Sequence, residues 1–283
     1  MVQSKKKILT NTTIAFLPRG RVTFGNSAGK GLLVEIEKNP SQGPEGKVLV
    51  STATYNEKDN LKPLVEEIRN ILPQCHILVI DDNSPDGTGE LADQLARDFG
   101  NIHVIHRAGK QGLGTAILAG MKFALENDFY CFINMDADFS HDPKYLPFLY
   151  EGMAANDVMI GSRYVPGGGT ENWPASRKFM SANVNRLVRF LFGMPVKDAS
   201  GGYRAYKVDI LRKANLENVK SRGYSFQQEV LFRCFRAGAK IGEHPILFAN
   251  RRAGSSKVSM KEVIRSLSLL TWLGIKAKFS SNP

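Results

Sequence analysis

The sequence contains little cysteine and no long apolar run. Its three cysteines, Cys75, Cys131 and Cys234, are widely spaced and form no C-x-x-C pair. This spacing argues against a disulfide framework and a zinc site, and it favours a reducing cytoplasm. The apolar stretch near the C-terminus, 267–275, is far shorter than the ~20 residues that span a bilayer, and no secretory signal is visible. We therefore predict a cytoplasmic protein that is not integral to a membrane.

Acidic residues are also in short supply. The chain has 38 Lys and Arg against 27 Asp and Glu, which gives a net charge of +11. The excess lies in the second half, in 163–222 and from Arg251 onward. Such a charge suits an anionic partner: a phosphorylated substrate, a lipid surface or a nucleic acid. The basic half lacks the interleaved aromatic residues of an RNA-binding platform, so we predict no nucleic-acid partner.

From residue 47 onward, apolar runs alternate with amphipathic segments. The runs that predict strands are KVLVSTATYNE, HILVIDDNSPDG with its turn, IHVIH, FYCFINMDAD, DVMIGSR and, in the less regular second half, KIGEHPILFANR. This alternation predicts an α/β fold with a mostly parallel sheet covered by helices on both faces. We expect the main domain at 47–257. It follows an N-terminal extension of unknown role, 1–46, and precedes a C-terminal amphipathic helix and tail, 258–283.

Polar residues gather where four of these strands end. Ligands of open parallel sheets bind beyond the carboxyl ends of the strands, so we expect these residues to share one site. They are Asn56, Glu57, Asp81, Asp82, Asp136, Asp138, Ser162 and Arg163.

Asp136 and Asp138 form a D-x-D pair at one of these strand ends. Side chains alternate along a strand, so the two carboxylates are predicted to point the same way. Like charges held close oppose each other's ionisation unless a cation lies between them. Mg²⁺ or Mn²⁺ takes such oxygen ligands and completes its shell with water and phosphate. The alternative is an acidic turn that caps a helix near Pro143, although Asp142 can serve as that cap.

Eight short motifs from the first strand to the C-terminal region, in order, resemble those of one enzyme family. They are ATYNE, VIDDNSPDGT, RAGKQGLGTA, MDADFSHDP, GSRY, SGGYRAY, FQQE and RRAGSSK. Together they resemble the family 2 glycosyltransferases of GT-A fold, and within them the dolichyl-phosphate (polyprenyl-phosphate) mannose synthase group. The resemblance implies a GT-A-like nucleotide-binding sheet and a metal-dependent glycosyltransferase.

The resemblance assigns a donor site and a metal site by position. The implied metal ligands of Mg²⁺ or Mn²⁺ are Asp138, Asp136 alongside it and, as a weak ligand, Ser140, whereas His141 is expected to be structural. For Asp82 and Ser84 the alternative is that they only shape a turn. The implied nucleotide-sugar contacts are Tyr55, Asn56, Glu57, Ile80, Asp81, Asp82, Asp136 and Ala137.

The remaining implied roles concern the acceptor and the leaving group. Arg163, Arg177 and Ser181 match positions that hold a lipid phosphate, and Arg177 and Ser181 share one helical face. The alternative for Arg177 is a solvated surface charge. Arg251 and Lys257 match a basic loop that closes over the donor diphosphate, the alternative being a basic tail that faces a membrane. With Asp138 and Arg163 they complete the expected catalytic set.

A phosphate monoester is already an oxyanion at pH 7, because its second pKa is near ~6. An enzyme with that acceptor needs no general base, and Gln227 and Glu229 are expected to orient groups instead. We predict an inverting transfer of mannose from GDP-mannose to a polyprenyl monophosphate, with a UDP-sugar donor as the alternative.

The basic residues that flank 267–275 suit a peripheral contact with the cytoplasmic face of a membrane, or with a membrane-anchored partner subunit. The alternative is that this helix packs on the domain.

Overall fold

A computed structural model describes residues 13–17, 21–25, 32–34, 46–221, 223 and 225–249. The chain divides into two compact units, Met1–Gly43 and Pro44–Pro283. The predicted roles of Arg251 and Lys257 and the predicted terminal helix lie outside the described residues.

The first unit contains an antiparallel meander of three short strands, β1 (Thr13–Leu17), β2 (Arg21–Gly25) and β3 (Leu32–Val34). β2 pairs with both neighbours, for example Phe24 with Leu32. The alternation in RVTFG and LLVEIEK predicts a short hairpin or loose strands, and the structure pairs β2 with β3; β1 lies outside those two runs.

The second unit alternates strands and helices, as the sequence predicted. A 3₁₀ turn, Pro143–Tyr145, precedes α4. The elements are β4 (Val48–Thr54), α1 (Lys58–Ile71), β5 (His76–Asp81), α2 (Thr88–Asp98), β6 (Ile102–His106), α3 (Leu113–Glu126), β7 (Cys131–Asp136), α4 (Leu146–Gly152), β8 (Val158–Ser162), β9 (Gly169–Thr170), α5 (Ala175–Phe192), β10 (Arg204–Lys207), α6 (Val208–Lys213), α7 (Phe226–Arg236), β11 (Ile241–Pro245) and β12 (Leu247–Phe248).

The main sheet of this unit has seven strands in the order β11-β8-β10-β7-β4-β5-β6. Every strand is parallel to the rest except β10, which runs antiparallel between β7 and β8. The predicted mostly parallel sheet is therefore confirmed. The turn-forming residues of DASGGYRAY, 198–206, predict a loop, and this prediction is wrong for 204–206, because Arg204 begins β10.

Helices cover both faces of the sheet. Alternate residues of a strand enter different apolar clusters: Leu78 and Ile80 lie in one, and Ile77 and Val79 in the other. α3 approaches one face so closely that a Cβ on Gly120 would lie 2.8 Å from Ser51 Oγ. The near-continuous apolar strands follow from this two-sided burial.

The register aligns the carboxyl ends of the central strands. Ala53 of β4 lies opposite both Ile80 and Asp136, and Thr54 lies opposite Asp81. Neighbouring strands are ~4.8 Å apart, so the residues that follow these ends share one rim of the sheet. This rim positions the candidate site.

Candidate active site

The turn after β4 presents Tyr55 and fixes the backbone behind it. Asn56 has φ +60°, and its N–H donates to Ser84 Oγ at 3.0 Å, while the Glu57 N–H donates to Thr88 Oγ1 at 3.0 Å. Tyr55 is 38% exposed, and Lys110 Nζ lies 4.3 Å from its ring centroid. An exposed ring beside a cation on a rigid turn is suited to stacking on a base.

Asp81 is enclosed by its own turn. Its Oδ1 accepts hydrogen bonds from Thr54 Oγ1 (2.9 Å) and Ser84 Oγ (2.6 Å), and its Oδ2 accepts from the Ser84 N–H (2.9 Å). The side chain is 1% exposed. The sequence left open that Asp82 and Ser84 only shape this turn. In the structure, the two residues whose hydrogen bonds shape it are Asp81 and Ser84.

Two neighbours of Asp81 differ in environment. Asp82 lies 3.0 Å from Arg107 Nη1; burial raises the pKa of its carboxyl, and Arg107 opposes that rise. Ile80 was expected to line the nucleotide site, but its side chain is fully buried. It packs under Gly120 of α3, because in a strand covered on both faces the residue before the last still points into the core.

The D-x-D pair does not sit on one continuous strand. β7 ends at Asp136, and Asp138 lies in a turn that brings Phe139 to φ +61°. The expectation that strand alternation aligns the two carboxylates is therefore wrong. Asp136 has a partly exposed side chain, whereas Asp138 is 5% exposed. The turn, and not the pleat, determines where the Asp138 carboxylate points.

Ser140 holds the Asp138 carboxylate in place. Asp138 Oδ1 accepts hydrogen bonds from the Ser140 N–H at 3.0 Å and from its hydroxyl at 2.5 Å. Among the described residues, no three His, Cys, Asp or Glu side chains converge into a ready-made metal site. Two carboxylates with a hydroxyl nevertheless fit Mg²⁺ or Mn²⁺, hard cations that complete their shells with water and substrate phosphate.

His141 is part of the framework behind this turn. Its Nδ1 accepts from the Asp136 N–H at 2.9 Å, and its ring stacks on Tyr203 with centroids 4.8 Å apart. Burial lowers the pKa of the imidazole, although Asp136 and Asp138 oppose the shift. These contacts support the structural role expected for His141.

Arg163 is anchored by a buried carboxylate. Its Nε and Nη2 each donate to Asp198 at 2.8 Å, its N–H donates to Asp198 at 3.0 Å, and Nη2 also donates to Ser200 Oγ at 2.9 Å. Asp198 has no exposed surface. Burial alone would raise the pKa of its carboxyl, but Arg163 outweighs burial and holds that pKa below its usual value. The pair fixes a charged guanidinium at the end of β8.

Arg163 and Arg177 meet at Trp173. The Cζ atoms lie 5.4 Å and 3.8 Å from the centroid of the Trp173 ring, respectively, both within cation–π range. Arg177 and Ser181 lie one turn apart on α5 and are both partly buried. The structure thus brings the predicted acceptor-phosphate residues to one place, and both cations lie near an indole that the sequence prediction did not include.

Phe248 connects this cluster to the D-x-D turn. Its ring lies edge-on to His141 (5.4 Å between centroids) and to Trp173 (5.5 Å), and Arg163 Cζ lies 5.7 Å from it. The candidate metal turn and the candidate acceptor cluster are therefore adjacent.

Glu229 has no exposed surface, and both oxygens of its carboxylate accept hydrogen bonds. It accepts from the Ser221 N–H (2.8 Å) and hydroxyl (2.6 Å) and pairs with Arg233 at 3.0 Å. This agrees with the expectation that it orients neighbouring groups. Gln227 is buried, and its Oε1 has no hydrogen-bond partner among the described residues.

Several residues of the site were missed from the sequence. The turn-forming residues around Trp173 and Asp198 predict only loops, and Lys110 stands out only as a member of the glycine-rich RAGKQGLGTA motif. The signals that could have identified them were a tryptophan four residues before Arg177 and an aspartate that opens the DASGGYRAY segment. In the described residues no helix is long and apolar enough to cross a bilayer.

Comparison with known proteins identifies the family. The sequence profile of Glycosyl transferase family 2 matches residues 50–214. The chain is 43% identical over 237 residues to the polyprenol monophosphomannose synthase of Mycolicibacterium smegmatis, covering 83% of this chain and 89% of that protein. It is 42% identical over 233 residues to the undecaprenyl-phosphate mannosyltransferase of Micrococcus luteus, covering 82% and 96%.

A solved structure agrees with the fold. Glucosyl-3-phosphoglycerate synthase from Mycobacterium tuberculosis, determined with Mn²⁺, UDP and phosphoglyceric acid, superposes with a TM-score of 0.57 at 14% identity. The match covers 80% of this chain and 78% of that one, which confirms the GT-A-like sheet. The chain therefore belongs to glycosyl transferase family 2, in the group of polyprenyl-phosphate mannose synthases, and is a glycosyltransferase.

Proposed function

We propose that the chain transfers mannose from GDP-mannose to a polyprenyl monophosphate, with inversion at the anomeric carbon. The observation that carries the proposal is the cluster of Arg163, Trp173 and Arg177 next to the D-x-D turn. A cationic cluster suits the acceptor phosphate, and the neighbouring carboxylates suit a dication on the donor diphosphate. The names of the two mannosyltransferase relatives support the sugar and the lipid.

The proposed chemistry needs no general base. An acceptor phosphate oxygen forms the bond to the anomeric carbon while the bond to the GDP oxygen breaks, and no proton has to move. Three buried side chains of the described residues that could serve as bases are hydrogen-bonded: Asp81 and Glu229 accept several hydrogen bonds, and His141 Nδ1 accepts one. Their engagement supports an acceptor that is already ionised.

The protein groups in this proposal bind and orient. Arg163 and Arg177 hold the acceptor phosphate, with Ser181 beside them. Arg251 and Lys257 are proposed to neutralise the departing diphosphate. A dication held by Asp136 and Asp138, whose carboxylate Ser140 positions, would supply charge neutralisation at that diphosphate when bound.

The donor is proposed to lie over the ends of β4 and β5. Tyr55, Asn56 and Glu57 would contact the base and ribose, and Asp82 and Ala137 would line the same side. Ala137 is buried directly after β7, so its contribution would be through the backbone.

Thermal-shift screening tests the donor. The protein with Mn²⁺ is mixed with GDP-mannose, UDP-glucose or UDP-N-acetylglucosamine, and the melting temperature is compared with that of the protein with Mn²⁺ alone. We expect stabilisation by GDP-mannose in particular, because binding to the folded state raises its stability. Stabilisation by a UDP-sugar without any by GDP-mannose would replace the proposed donor.

We propose peripheral membrane contact through the outward face of α5, in addition to the terminal segment. Phe179 and Phe190 are 74% and 78% exposed, which is unusual for phenylalanine on a soluble domain. Cationic side chains beside exposed apolar ones suit an anionic bilayer surface. This α5 outer face comprises Phe179, Met180, Leu187, Phe190, Lys178, Arg186 and Arg189.

A further inference from the structure

The indole N–H of Trp173 is a buried donor with no acceptor. Trp173 is 8% exposed, and its Nε1 finds no hydrogen-bond partner in the described parts of the chain. Buried polar atoms are almost always paired, and an unpaired donor costs about 1–3 kcal/mol. This cost suggests that the indole N–H finds its acceptor when a ligand is bound.

The surroundings of the indole indicate what its partner is. Two guanidiniums lie against the ring, that of Arg177 at 3.8 Å and that of Arg163 at 5.4 Å. Arg163 donates hydrogen bonds from Nε and Nη2 to Asp198 and Ser200. The Nη1 atom of Arg163 makes no hydrogen bond to a described residue. Guanidinium and indole N–H donors are therefore close together here, and the ligand suited to accept from them is an anion with several oxygens.

The backbone holds the indole where it is. Trp173 follows the Gly-rich loop that contains β9, and β9 pairs with β12, which places Phe248 edge-on to the indole at 5.5 Å. Gly167 in this loop has φ +88°, a conformation that favours glycine. The ring is thus positioned by a strand pair and by an aromatic contact.

We propose that Trp173 Nε1–H donates a hydrogen bond to the phosphate of the acceptor lipid, between Arg163 and Arg177. This inference deepens the proposed function and depends on it, since it names a further binding residue of the same site. The indole N–H is a neutral donor with one fixed direction, whereas the other donors of the site are charged guanidiniums. Because it would bond to one oxygen while Arg163 and Arg177 bond to two others, the site would favour a phosphate over an anion with fewer oxygens.

The test observes the N–H itself. Trp173 and Trp272 are the only two tryptophans in the chain, so the Trp272→Phe protein labelled with ¹⁵N-tryptophan gives a single indole signal. Farnesyl phosphate is added as the probe, with farnesol and GDP-mannose plus Mn²⁺ as separate arms. We expect a downfield shift of the indole proton with farnesyl phosphate and none with farnesol, because only the phosphate offers an acceptor.

A substitution gives an independent measure. Trp173→Phe keeps a ring against Arg177 but removes the donor, and we expect its dissociation constant for farnesyl phosphate to rise about tenfold or more, the range of a hydrogen bond to a charged group. Phe99→Leu is the control, because Phe99 follows α2 and contacts Arg69, and this variant should leave that constant unchanged. Binding is followed with tritiated lipid, and thermal melting checks that each variant is folded.

The outcomes separate the two claims. Farnesyl phosphate that binds without moving the indole signal overturns the role of Trp173 and leaves the proposed function standing. A shift produced by GDP-mannose in place of the lipid also overturns it, because the indole would then belong to the donor site. A lipid that does not bind at all overturns the proposed function and this inference together.

Discussion

Arg163 and Asp198 form a buried bidentate pair, with both N···O distances at 2.8 Å. Asp198 has no exposed surface, and its backbone N–H donates a hydrogen bond to Glu243 Oε1 at 2.9 Å. The guanidinium is thereby fixed at the rim of the sheet, and its Nη1 makes no hydrogen bond to a described residue. The acceptor cluster therefore depends on an acidic residue that contacts no substrate in the proposed mechanism.

This pair predicts a large cost for Asp198→Asn. Removing one partner of a buried pair leaves the other charge uncompensated, which costs about 3–5 kcal/mol. Asp93→Asn is the matched control, because Asp93 is exposed in its pair with His106 and surface pairs contribute at most about 1 kcal/mol. Urea unfolding measures the free energy of unfolding of each variant. Equal losses in the two variants would show that the buried Arg163–Asp198 pair stabilises the fold no more than the exposed pair does.

The three cysteines predict thiols that are unreactive in the folded protein. All three are free and buried, and burial raises the pKa of Cys75 and of Cys234 to about 12. An unfolded thiol ionises near pH ~8.5, so the free energy of unfolding should fall as the pH rises from there toward 12.

The reactivity of the thiols measures their burial. Ellman's reagent at pH 8 should modify no thiol of the folded protein and all three thiols of the protein unfolded in guanidinium. Rapid native modification would contradict the described burial.

The metal turn predicts a contrast between two neighbouring aspartates. Asp138→Asn removes a carboxylate that the metal is proposed to need, and we expect Mn²⁺ binding, measured by calorimetry with GDP present, to be lost. Asp142→Asn is the control in the same segment, because its side chain caps the next turn through the Lys144 N–H and asparagine caps equally well. Unchanged Mn²⁺ affinity in Asp138→Asn would remove the metal site from this turn.

The α5 outer face predicts binding to anionic vesicles. Phe179→Ser with Phe190→Ser should reduce flotation with vesicles that contain phosphatidylglycerol, because about 1.5–3 kcal/mol is associated with burying each large apolar side chain. Phe148→Ser is the control: Phe148 is 48% exposed but stacks on His244 away from α5. Flotation that is unaffected by the double substitution would exclude this face, and wild-type protein that never floats would exclude membrane contact.

The sequence predicted the parts of the fold that follow from local pattern. Continuous apolar runs gave the parallel strands, and the polar residues that end them do share one rim, as the pairing of Ala53 with Ile80 and Asp136 shows. Asp142 was identified as a cap and does accept from the Lys144 N–H. The sequence also predicts Asp59 as the N-cap of the first helix, and this is wrong, because α1 begins at Lys58 with Glu57 as its N-cap and Asp59 lies in its first turn.

The rest depends on contacts between distant segments. β10 is only four residues long, too short to show a period, and its place between β7 and β8 is set by tertiary pairing. The turn at Asp138 depends on the positive φ of Phe139, which no apolar pattern encodes. Trp173 meets Arg163 because a glycine-rich loop folds back onto β12, and Asp198 meets Arg163 across 35 residues of chain.

The most direct test of the account is transfer of radiolabelled mannose from GDP-mannose to a polyprenyl monophosphate by the purified protein. We expect an acid-labile lipid product that forms with Mg²⁺ or Mn²⁺ and disappears with EDTA, and whose yield falls at least a hundredfold in Asp138→Asn but not in Asp142→Asn. Undiminished transfer in EDTA, or no lipid product from a folded protein that binds both substrates, would contradict it.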